Sequence, residues 1–335
     1  MLSREADSLY WMSRNLERAE TNARILNVQF LQMLEASEEE TMANHDWEVI
    51  FDICASSDDF VAIRKACPQD EEALITWLTF SHENPNSLAN CVGLARENAR
   101  SIRNQLPDDL WEVWNDFYLD GRSIRGNGWS KKELHRYLTR MKMTALTARG
   151  ILESSMFRGP AYWIIKIAKW LEQAEKTARI LSVVSDYTHG AGTNGFQGES
   201  YYWRSALQFV SGYEAFLKQY PPSMEPNPVL TFLVTEAAFP KSIRYCINHI
   251  RRAVSELERG MVSHYSWQLY ASLDTLLLDF DKVRIHELDR KELNVFLNQF
   301  QFQCKEIGKT FSRTYYLLQT HPNNGQLAYA RYAGE

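Results

Sequence analysis

The chain has 335 residues, 45% of them hydrophobic and 13% aromatic, with a formal net charge of −5. This composition can build a sizeable core, so it excludes a disordered chain. The acidic balance gives no basic field for nucleic acid or an anionic membrane surface, and no run approaches the ~18 apolar residues of a spanning helix. The N-terminal stretch MLSREADSLYWMSRNLERAE lacks the apolar region of a secretory signal. Cys54, Cys67, Cys91, Cys246 and Cys304 form no C-x-x-C pair. Five scattered cysteines fit reduced thiols, and a cytoplasmic protein is expected.

Apolar residues recur with the 3.6-residue period over long stretches, and no alternating strand with hairpin turns stands out, which predicts an all-α fold. The first helix is expected from Ser3 or Asp7 to about Glu35, before the acidic run at Glu38–Glu40. Shorter helices read as Asp46–Ala55, Asp58–Cys67 and Glu71–Phe80. After Asn84-Pro85-Asn86, Ser87 is placed to cap a helix running to Gln105, and Pro107 opens another to Leu119. GRSIRGNGW, from Gly121 to Trp129, reads as a glycine-rich loop. Ser130 with Glu133 forms a capping-box signature for a long helix, which Arg158-Gly159-Pro160 stops. A helix over Ala161–Tyr187 follows, then HGAGTNGFQGE, His189–Glu199, read as a linker.

The chain repeats itself. LERAETNARIL at Leu16–Leu26 returns as LEQAEKTARIL at Leu171–Leu181, eight of eleven positions identical, 155 residues on. PNSLANC at Pro85–Cys91 matches PKSIRYC at Pro240–Cys246 at the same offset, and SKKELHRYL from Ser130 matches DRKELNVFL from Asp289 at an offset of 159. The pattern predicts an internally duplicated helical bundle of two pseudo-symmetric halves, each of about five or six helices. The expected division is 1–158, 159–320 and a peripheral tail, 321–335, with a single domain over the whole chain as the alternative. Such halves are related as the subunits of an isologous dimer are.

On a helix, Glu17, Glu20 and Arg24 fall on one face, and Leu16, Ala19, Ala23 and Leu26 on another. The second copy places Glu172, Glu175 and Arg179 in the same way. One such stripe is ordinarily a solvated face with an i,i+4 pair. Its repetition amid apolar residues points to a buried Glu–Arg network, either fixing helix register or holding a ligand, with carboxylates for amines and arginine for a carboxylate or phosphate. No histidine stands one turn away on either helix, so neither a metal nor another cofactor is expected.

Arg96, Asn98 and Arg100 form a polar helix edge that the second half does not reproduce, and are weaker binding candidates. The two arginines of GRSIRGNGW could contact phosphate, but no strand precedes them and no Gly-Lys-Ser/Thr follows, so this is not a P-loop. No nucleophile–base motif appears, and the catalytic residues are unknown. The chain does not read as a self-sufficient enzyme.

LYW…NLERAETNARIL, ARENAR followed by LPDDLWEVWNDFY, and NPVLTFLV…FPKSIRYC together resemble the bacterial alpha-E domain family, an all-helical family with a Glu-Arg signature. The signature falls on Glu17-Arg18, with Glu20 and Arg24 in the same block. The second block departs from it: Gln173 stands where Arg18 stands in the first, and Lys241 occupies the usual arginine of a Pro-Arg-Ser element. The resemblance implies a setting beside circularly permuted ATP-grasp proteins and transglutaminase-like peptidases, hence amide-bond synthesis or peptide modification. A non-catalytic accessory that binds the ligase or a peptide or amino-acid substrate fits that setting. It would present apolar or aromatic surface, for which Trp111, Trp114 and Tyr118 are candidates. The alternative, an enzyme or small-ligand-binding component using the Glu17/Glu20/Arg24 stripe, requires a polar pocket between the motif helices and a perturbed carboxylate there; a purely structural helical protein is the third reading.

Overall fold

The computed structural model describes residues 3–35, 47–55, 57–67, 70–127, 129–190, 196–260 and 266–315. The described residues are all-α, without a strand. The first seven helices are α1 (Ser3–Glu35), α2 (Trp47–Cys54), α3 (Ser57–Ala66), α4 (Glu71–Thr79), α5 (Leu88–Ser101), α6 (Asp108–Asn127) and α7 (Lys131–Ser155). They are followed by α8 (Pro160–Gly190), α9 (Phe196–Phe209), α10 (Tyr213–Leu217), α11 (Pro226–Thr235), α12 (Ile243–Leu257), α13 (Trp267–Lys282) and α14 (Arg290–Tyr315). Among the described residues seven helices stand on either side of Gly159, more than the five or six expected of each half.

The helix starts follow local chemistry. Ser87, Ser130 and Ser242 each accept the backbone N–H three residues on, at 3.1–3.3 Å, and Glu133 returns the bond to the Ser130 N–H at 2.9 Å, completing the capping box. Arg158 donates to the carbonyls of Leu152 and Met156 and so closes α7, while Pro160 opens α8.

Two sequence expectations are corrected. The segment from Gly121 is not a loop: α6 continues to Asn127. Gly121 serves close packing there, since a Cβ on it would lie 2.9 Å from the Tyr137 hydroxyl. Likewise α8 runs through Gly190 and α9 begins at Phe196, so His189–Glu199 is mostly helical at both ends. Residues 191–195, the acidic run Glu38–Glu40 and the tail 321–335 lie outside the described residues.

Helices α1 and α8 are the two central elements and pack against each other. α5 and α7 flank α1, and α12 and α14 flank α8. α6 lies on α5 and α7, and α13 lies on α12 and α14. α2 packs mainly on α8, and α9 on both central helices. Buried Ala19, Ala23, Ala174 and Ala178 keep both central helices slim where neighbours crowd them. The apolar side chains form one continuous core, from Leu9 on α1 to Phe311 on α14. No helix among the described residues is long and apolar enough to cross a membrane.

Candidate functional site

With partners on all sides, α1 buries its polar stripe as well as its apolar one. Glu17 and Glu20 are 1% and 0% exposed, and Glu172 is 5% exposed. A buried carboxylate must be matched by cations and hydrogen bonds, and this requirement organises the α1–α8 interface.

At one end stand Glu172 and Glu175 of α8. Arg14 Nε lies 2.7 Å from Glu172 Oε2, and its Nη2 lies 2.6 Å from Glu175 Oε2. Arg18 Nε donates to Glu172 Oε1 at 2.7 Å, and its Nη1 to Asn86 Oδ1 at 3.1 Å. At the other end stand Glu17 and Glu20 of α1. Arg149 Nη2, from α7, reaches Glu17 Oε2 at 2.7 Å and Glu20 Oε2 at 3.3 Å. Gln173 Nε2 donates to Glu17 Oε1 at 2.7 Å. Lys241 Nζ reaches Glu20 at 3.2 Å, and Arg24 pairs with Glu20 one turn away.

The two ends exchange equivalent contacts. Arg18 of α1 donates to Glu172 of α8, and Gln173 of α8 donates to Glu17 of α1. Asn22 donates to the Asn86 carbonyl and Thr177 to the Lys241 carbonyl, each at 3.0 Å. Glu172, Gln173, Thr177 and Lys241 stand 155 residues after Glu17, Arg18, Asn22 and Asn86.

Burial alone would raise the Glu172 carboxyl, but Arg14 and Arg18 hold it down to about 2. Burial also opposes ionisation of Glu20, and Lys241, Arg149 and Arg24 together hold that carboxyl far below the usual range. Glu175 differs. Burial pushes it up, Arg14 only partly offsets this, and the neighbouring Glu172 carboxylate adds to the rise.

A polar cleft with about 210 Å³ of free space opens over Glu172 and Glu175, lined also by Arg18, Lys176, Arg179 and Lys305. Lys176 Nζ donates to the Ile53 carbonyl at 2.9 Å, and Arg179 donates to the carbonyls of Asp52 and Ala55 at 2.7 and 3.2 Å. Both cations therefore cap the C-terminal end of α2. A guanidinium carries five N–H donors, so Arg179 keeps capacity for a ligand.

The structure thus brings Glu17, Arg18, Glu20, Arg24, Glu172 and Glu175 into one network and sets Arg179 at its solvent edge. Arg96, Asn98 and Arg100 do not join it. Arg96 lies over the rings of Trp111 and Tyr118 and bonds Asn115 and Glu97. Asn98 bonds the Leu94 carbonyl, and Arg100 bonds Glu97. Trp114 is a core residue at 1% exposure, and Trp111 and Tyr118 are half-buried against the core. Of the aromatic surface expected of these three side chains, burial removes Trp114, while Trp111 and Tyr118 stay partly exposed beneath Arg96. Sequence reasoning missed Arg14, Arg149, Gln173 and Lys241 as network members. Arg14 had a signal, because Lys169 is its basic counterpart 155 residues on. Arg149 had none, since Gly308 stands at its counterpart position, 159 on.

No curated protein and no solved structure matches the chain. A family model does: Alpha-E, described as a predicted alpha-helical domain with a conserved ER motif, over residues 1–316. The Glu-Arg pair of such a motif, Glu17-Arg18, sits at the centre of the network, each member reaching across to α8. The chain belongs to the Alpha-E family.

Proposed function

We propose that this protein is a ligand-binding accessory rather than a self-sufficient enzyme, and that it holds an amino acid or a peptide end in the cleft over Glu172 and Glu175. One observation carries the reading: a solvent-open polar cleft borders a buried charge network, with Arg18, Lys176, Arg179 and Lys305 around two acids. The cations suit a carboxylate, and Glu175, paired with Arg14 at 2.6 Å, suits an ammonium. The resemblance supplies the setting, in which the bound molecule is presented to a circularly permuted ATP-grasp ligase, with a transglutaminase-like peptidase as a further partner, in the cytoplasm.

The same reading takes the halves 1–158 and 159–320 as copies of one ancestral unit. The exchanged contacts of Asn22 with Asn86 and of Thr177 with Lys241 support it.

Calorimetric titration of the protein with L-glutamate, L-lysine and Ala-Ala tests the ligand. Binding of at least one, lost in Arg179→Ala and Glu175→Gln, is expected. Absence of binding by all three, or binding unaltered in both variants, rejects the cleft. Near-stoichiometric recovery of an ATP-grasp protein with the tagged chain from its own cells tests the partner separately.

A further inference from the structure

The charges around the cleft over Glu172 and Glu175 do not balance. Arg14 and Arg18 are matched in charge by the two acids. Lys176, Arg179 and Lys305 remain on the walls, and among the described residues none of the three forms an ion pair with a carboxylate. Lys176 and Arg179 give hydrogen bonds to the carbonyls that end α2, but a helix C-terminus carries only about half a negative charge. The carboxylate of the neighbouring Asp52 accepts from the Tyr187 hydroxyl at 2.9 Å. Roughly two and a half positive charges are therefore left facing the cleft. Burial pushes the Glu175 carboxyl up, and its protonation makes the surplus larger.

The repeat shows that this surplus is particular to one end of the network. At the offsets of 155 and 159, Thr21 stands where Lys176 does, and Leu146 stands where Lys305 does. Arg24, the counterpart of Arg179, pairs with Glu20 instead of keeping donors for a ligand. Glu20 is sealed from solvent, whereas its counterpart Glu175 is half-buried and borders the open cleft. The open end is the one that carries the two extra lysines.

The surplus also occupies two places. Lys176 and Arg179 belong to α8 and meet the end of α2, whereas Lys305 belongs to α14. One carboxylate can answer the first place, and the second calls for another anion. The free space of about 210 Å³ holds more than roughly ten waters, so an amino acid with a charged side chain fits.

We infer that the ligand of this cleft is a free dicarboxylic amino acid of the glutamate type. Its α-carboxylate lies on Arg179 and Lys176, its side-chain carboxylate on Lys305 and its ammonium toward Glu175. The inference rests on the cleft proposed above and narrows its ligand by charge. Such a molecule is a net anion and answers the surplus, while lysine adds to it and a neutral dipeptide leaves it standing.

The test is calorimetric titration of the whole protein at low ionic strength with L-glutamate, L-glutamine, glutarate, L-lysine, Ala-Ala and inorganic phosphate. Glutamine keeps the size and the ammonium but loses one anion, and glutarate keeps both anions but loses the ammonium. L-glutamate should bind at least about fivefold more tightly than either. Lys305→Met, a change at an exposed position, should remove the preference over glutamine with helical circular dichroism unchanged. Glutamine bound as tightly as glutamate, or lysine or Ala-Ala bound without glutamate, would overturn the inference and leave the cleft in place. A preference unaltered in Lys305→Met, or phosphate bound as tightly as glutamate, would overturn it too. Failure of all six to bind would remove the cleft itself and the inference with it.

Discussion

Glu172 shows what a single side chain contributes to this molecule. Its carboxylate neutralises Arg14 and Arg18 inside a region with little solvent access. Glu172→Gln keeps the shape but leaves two guanidinium groups uncompensated, and should lower stability by about 3–5 kcal/mol in urea unfolding. The same carboxyl sets an acid limit. Because its folded-state pKa lies below the unfolded value, its contribution is complete above about pH 4.3 and is lost as the pH falls toward about 2. Thermal midpoints measured across that window should fall less steeply in Glu172→Gln. Lys169 works in the opposite sense. Its folded value of about 8 lies below the unfolded ~10.4, so the unfolded chain binds more protons in between, and stability should rise with pH there. Lys169→Met should remove that rise. At this scale the sequence was partly legible. Glu17, Glu20 and their counterparts could be found because both copies keep them, whereas Arg149 reaches the same acids from a helix whose counterpart carries glycine.

Elements were more legible than residues where their ends carry chemistry of their own. The Ser130–Glu133 box could be read directly, and Ser130→Ala should cost about 1 kcal/mol in chemical unfolding. Glycine misled the reading of α6. The Gly121 to Trp129 stretch looked like a break, but Gly121 admits the Tyr137 ring instead of turning the chain, and only the packed partner reveals that. Gly308 has the same role on α14. A Cβ there would stand 3.1 Å from the Tyr10 hydroxyl and 3.5 Å from Leu171, at the junction of α14 with both central helices. Gly308→Ala should therefore destabilise by about 1–3 kcal/mol through overpacking, despite alanine's better helix propensity, and melting of the purified variant would show it.

For the whole molecule, a repeat in the spacing of motifs could be read from the sequence, but the number of cores could not, because that depends on which faces α1 and α8 turn toward each other. The structure gives one continuous core, with ion pairs joining residues 154 to 161 positions apart. The two halves should consequently unfold together, with tryptophan fluorescence and far-ultraviolet circular dichroism following one coincident urea transition. Two separated transitions would mean that each half is stable alone. The buried ion pairs and the open rim of the cleft should also respond differently to ionic strength. Exposed charges are screened over about 3 Å at 1 M salt, whereas buried pairs are screened much less. Potassium chloride should therefore strip the proposed ligand from the rim formed by Arg179 and Lys305 well before it loosens Arg14 and Arg18 from Glu172. High salt would thus release a molecule held as proposed in the cleft without unfolding the protein.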